Sequence, residues 1–127
     1  MTLKIHQITN FPAIFSKLKT QRLPFKTSYR LTLLAQEISK HVAYYQEQFN
    51  ELLLEYSKKD EEGSPVPTPD GQGVLLEESS MEEAYTKLAE LRDLDVELPD
   101  VKFSVDDFGN IELAPEEMLV LMPFIEA

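Results

Sequence analysis

The side chains with the most chemical reach are two histidines, His6 and His41, and four adjacent carboxylate pairs: Glu61-Glu62, Glu82-Glu83, Asp106-Asp107 and Glu116-Glu117. A histidine serves as a base or a metal ligand when a second suitable group stands at a defined spacing. His6 and His41 are far apart in the chain and show no such spacing. The carboxylate pairs could ligate Mg²⁺ or Ca²⁺, but Asp106-Asp107-Phe108-Gly109-Asn110 lacks the alternating oxygen ligands of an EF-hand loop. General acid–base chemistry needs two carboxylates in contrasting environments, and no pattern here sets one apart from another. Gly71-Gln72-Gly73 is too short to cradle a phosphate, and neither nucleotide-binding glycine motif occurs. With no cysteine there is no thiolate nucleophile, no thiolate metal site and no disulfide. The expectation is a non-enzymatic chain with no metal site and no cofactor.

Recognition is the chemistry that remains. Lys17, Lys19, Arg22, Lys26 and Arg30 are interleaved with Phe15, Phe25 and Tyr29, a mixture of charge and stacking surface that single-stranded nucleic acid would use. Five charges are few, however, and the acidic remainder would repel a phosphate backbone, so a protein partner is the stronger expectation. The acidic remainder could itself imitate a phosphate backbone and occupy another protein's groove. A second candidate surface is the apolar tail at 118–125, with Met118, Leu121, Met122, Phe124 and Ile125. Exposed as a whole it would exceed the patch that monomers tolerate, so it either closes the core or forms an interface. The unbranched Met118 and Met122 suit either task.

The charge distribution sharpens this. The chain of 127 residues carries a net −11, yet residues 1–40 hold seven basic groups against Glu37 alone, a net of +6, and residues 41–127 carry −17. Such asymmetry gives opposite poles if the two segments are separated in space, and an internal neutralisation if the first folds back on the second. A hydrophobic content of 43% and an aromatic content of 9% are ordinary for a globular domain and argue against overall disorder. No apolar run approaches the roughly 18 residues that span a bilayer, and the first residues lack the apolar centre of a secretory signal. A protein used where it is made, with no membrane contact, is expected.

The elements that would position these residues follow from periodicity, and one domain spanning 1–127 is expected. Residues 1–24 form a basic segment: a short strand over 3–8, then a short helix over about 11–21, capped by Asn10 and with Pro12 in its first turn. From Phe25, the residues Leu31, Leu34, Ile38, Val42, Tyr45, Phe49, Leu52 and Tyr56 recur at steps of three and four, with no Gly or Pro before Gly63. They predict one long helix over 25–58 with this stripe buried, too long for a small local core to cover. Residues 59–79 read as a loop or small hairpin, and 80–94 as a helix opened by a Ser80–Glu83 capping box. That helix should lie antiparallel on the long one. Over 95–127, strands are expected at 96–98 and 111–113, with a Ser104-capped turn ending at Gly109 between them, and a short helix starting at Pro115. The fold class is mainly α with minor β.

The order of these features resembles a loosely defined group of small proteins of tailed bacteriophages and prophages. The likeness lies in Leu54-Glu55-Tyr56 at the end of the long helix, the loop from Lys59 to Val66, the Val96-Glu97-Leu98 strand, and Leu113-Ala114-Pro115 followed by Pro123-Phe124-Ile125. It covers about residues 25–125 and implies a phage setting, in the host cytoplasm during infection or in the virion. It carries no functional residue. Two functions are therefore expected: a small virion structural or assembly component making homo-oligomeric or phage-protein contacts, or a soluble acidic inhibitor of a host defence or nucleic-acid-processing protein.

Overall fold

One uninterrupted helix dominates the chain. The computed structural model describes residues 1–109 and 111–126. Asn110, which ends the 106–110 stretch weighed above as a cation loop, and Ala127 lie outside the described residues. The fold is mainly α with minor β. Its elements are β1 (Thr2–Lys4), α1 (Phe11–Leu18), α2 (Phe25–Tyr56), α3 (Met81–Arg92), β2 (Asp95–Glu97) and α4 (Pro115–Leu121). β1 and β2 form an antiparallel ladder in which Leu3 faces Val96. No helix among the described residues is long and apolar enough to cross a membrane.

The core gathers under the first half of α2. Leu31, Leu34 and Ile38 are buried there against Ile5, Ile8 and Phe11 and against Phe103, Leu121 and Phe124. Phe11 and Phe124 meet edge to face with ring centres 6.0 Å apart. The chain's tail is stitched to the preceding segment by backbone bonds: the Phe103 N–H donates to the Phe124 carbonyl at 2.7 Å, and the Glu126 N–H to the Phe103 carbonyl at 2.8 Å. The tail therefore closes the core, one of the two roles open to it from the sequence.

Beyond Ile38 the expected burial fails. Val42, Tyr45, Phe49 and Leu52 are only half-buried. The reason is cover: Val42 and Tyr45 reach only the edge of the core cluster, and further out α3 is the one helix beside α2, shielding one side of the stripe. The second half of α2, the 57–77 segment and α3 thus make an arm. As expected, α3 runs antiparallel to α2, with Glu83 near Tyr56 and, after α3, Glu97 near His41. The possible hairpin exists as isolated antiparallel bridges, Pro67 with Val74 and Ser57 with Leu76. Three extended stretches close on one another: the Lys58 N–H donates to the Leu75 carbonyl, Leu75 to Val66 and Val66 to Lys58, at 2.7–2.9 Å.

Four local expectations are corrected. The strand over 3–8 stops at Lys4 and becomes a 3₁₀ turn, Ile5–Gln7, because Ile5 and Ile8 are both buried and a 3₁₀ turn puts residues i and i+3 on one side. Asn10 makes no side-chain cap bond, since its backbone is already helical. The Ser80 capping box does not form: a 3₁₀ turn leads into α3, Ser80 is not extended, and its N–H donates to the Glu77 carbonyl. No strand forms at 111–113; the other strand expected in this region, β2, takes β1 as its partner instead. The turn between these regions does form and ends at Gly109, at φ 61°, but Asp107 rather than the Ser104 hydroxyl secures it, its Oδ2 accepting the Ser104 N–H at 2.8 Å.

Candidate interaction surface

The five basic candidates separate into three places. Lys17, on α1, points across to α4, where its Nζ donates to both carboxylate oxygens of Glu117 at 2.7 and 2.8 Å. Glu117 also accepts the Ala114 N–H at 2.9 Å, fixing the first turn of α4. Lys17 is therefore a strut between helices. Lys19 and Arg22 are exposed on the connection from α1 to α2, where Arg22 borders a shallow cleft shared with Asp106 and Asp107. Lys26 and Arg30 project into solvent from the start of α2 beside Phe25 and Tyr29, which are 85% and 59% exposed. Phe15 is not with them; it is half-buried and stacked on Phe11.

The Lys17 bond holds the Glu117 carboxyl below the usual value of 4.5, with the Ala114 N–H adding to the effect. A carboxyl whose pKa is depressed by folding contributes stability that is present above the unfolded value and is lost as pH falls through the folded one. Lys17→Met is accordingly expected to lower the melting temperature at pH 7 by an amount that shrinks as the pH is taken below about 4.5. Thermal unfolding of both proteins across that range checks it. A difference independent of pH would mean that the two side chains contribute only packing.

The five apolar candidates also divide. Leu121 and Phe124 belong to the core, at 2% and 0% exposed, and offer nothing to a partner. Met118 and Ile125 are half-buried, and only Met122, at 56%, is open to solvent, next to the more exposed Leu119. A longer run of exposed apolar side chains lies along the outer side of α2, with Phe25, Tyr29, Leu33, Tyr44 and Leu54. Sequence reading passed over Leu33 and Tyr44, although Phe25, Tyr29 and Leu33 stand at i, i+4 and i+8 and so mark a second face.

His6 is exposed, and His41 Nε2 lies 3.3 Å from the Glu97 carbonyl, joining α2 to the end of β2. No group of three or more potential metal ligands is assembled among the described residues. A groove of about 430 Å³ lies on the arm between α2 and α3, lined by Leu52, Leu91 and Leu94 and by Glu51, Glu55, Lys87 and Glu90. At its end, partial burial and then the neighbouring Glu83 carboxylate push the Tyr56 hydroxyl above its ordinary value. The arm as a whole, residues 42–94, carries thirteen acidic and four basic groups, a net −9. No family model, curated protein or solved structure matches the chain.

Proposed function

We propose that this is a non-enzymatic phage protein acting through protein–protein contacts, as a small virion structural or assembly component. The observation that supports it is the overlong α2. Half of this helix serves the core, and the other half carries a partly covered apolar stripe and exposed aromatics outward along the arm. Repeated subunit contacts use surfaces of this kind. The phage setting rests on the resemblance over residues 25–125.

The test is the content of purified particles together with sedimentation at two salt concentrations. The protein is expected in virions and in oligomers that weaken between low and half-molar salt, because exposed charges separated by more than about 10 Å are largely screened at 0.1 M. The acid coat of the arm favours a second reading, a soluble inhibitor of a basic host protein: among the described residues, only Glu90 with Lys87 and Asp93 with Lys4 form ion pairs there. That reading expects a salt-indifferent monomer, absent from virions, whose capture of its target is lost when Glu77, Glu78, Glu82 and Glu83 are neutralised.

A further inference from the structure

The outer side of α2 carries a second periodic row that the core does not use. Starting at Lys26 and ending at Glu51, it recurs at steps of 4, 3, 4, 3, 4, 3 and 4, the spacing with which one helix presents a seam to another. Every residue in it is exposed apart from the half-buried Glu37. The row is about 37 Å long at 1.5 Å per residue.

Its chemical order is self-complementary. From the amino end come two cations, Lys26 and Arg30, then the apolar Leu33, then Glu37. The second half runs Lys40, Tyr44 and two anions, Glu47 and Glu51. Turned end for end about the point between Ile38 and Ser39, each member meets its complement: Lys26 faces Glu51, Arg30 faces Glu47, Leu33 faces Tyr44 and Glu37 faces Lys40. A parallel pairing in register would instead set like charge against like at every charged position.

We propose that this face is the seam of a two-fold antiparallel dimer of the chain, α2 against α2. The proposal rests on the self-association reading above and gives it a partner, a direction and a register. Two-fold symmetry makes each facing pair occur twice, so four kinds of contact become eight. Leu33 and Tyr44, 40% and 50% exposed in the single chain, form two apolar layers that flank the axis. At the axis, the Glu37–Lys40 ion pair within one chain, 2.9 Å long, meets its own copy and closes a four-charge network. A seam this rich in exposed charge associates weakly and is sensitive to salt.

The experiment is sedimentation velocity at low salt on wild type, Arg30→Glu, Glu47→Lys and the double variant, with circular dichroism to confirm that helix is retained. Wild type is expected to dimerise with concentration. Each single reversal should weaken the dimer by at least about tenfold, since symmetry installs the repulsion twice, and the double variant should restore it. Oxidative cross-linking reads the direction. The chain has no cysteine, and Leu33 and Tyr44 of one helix are about 16 Å apart, too far for a disulfide within it. Leu33→Cys combined with Tyr44→Cys should therefore give a covalent dimer, and Leu33→Cys alone should not. Cross-linking of the single variant, or a wild type that stays monomeric, overturns the proposal. So does an oligomer indifferent to Arg30→Glu, and that result leaves the broader assembly reading standing. Absence from virions with the dimer intact does the reverse.

Discussion

Truncating Phe124 to alanine is expected to lower stability by about 3–5 kcal/mol, the usual cost of removing a fully enclosed aromatic ring. Phe124 is 0% exposed and packs edge to face on Phe11, so the loss includes the ring's transfer from water, its aromatic contact and the cavity left behind. The backbone at Phe124 and at Glu126 is tied to Phe103, which limits how far the tail can collapse into the space. The melting temperature should fall by roughly 10–20 °C for a chain of this size. The same truncation at Phe49 serves as the internal comparison. That ring is half-buried against Tyr45, 6.0 Å away, and its loss should cost about 1–2 kcal/mol. Chemical denaturation of the two variants gives both values. Equal losses would contradict the division into a core-bearing half and a thinly covered arm.

A proline at Ala43 is expected to cost about 3 kcal/mol or more, although the side chain it replaces is exposed. Position 43 lies inside α2, where proline removes one hydrogen bond of the helical ladder and its ring collides with the carbonyl four residues back. It sits where α2 leaves the core, so the damage should fall on the arm: amide protons of 44–56 and of α3 exchange faster, while Phe11, Leu34 and Phe103 keep their protection. Ala43→Gly, which keeps the N–H, should cost only about 1 kcal/mol. A proline variant as stable as wild type would mean that the helix does not run through this point. The kink would also bend the outer face of α2 and prevent pairing along its whole length.

The two variants probe different levels of what the chain encodes. The sequence alone determined α2, because a 3.6-residue apolar period without Gly or Pro over 25–56 has no other regular solution. It determined the start of α4 for a related reason: Pro115 and Glu117 act on their own first turn, within a few residues of one another. The Ser104–Gly109 turn was legible in the same way. Where the outcome depended on what stands next to a segment, sequence was insufficient. Ser80 has the residues of a capping box, yet the turn before it sets its backbone in a conformation that cannot cap. Ile111 and Leu113 alternate like a strand, but a strand exists only with a neighbour, and β2 is paired with β1. Leu121 and Phe124 look like surface candidates in a list of apolar residues, and only the fold puts them inside. Lys17 belongs to a basic cluster in one dimension and to an ion pair with Glu117, 100 residues away, in three. Periodicity is a local property carried by the backbone's own geometry, whereas burial and pairing are relations between distant segments. Which half of the long apolar stripe would be covered was therefore decided by tertiary packing, through the single helix that the arm has available to cover it.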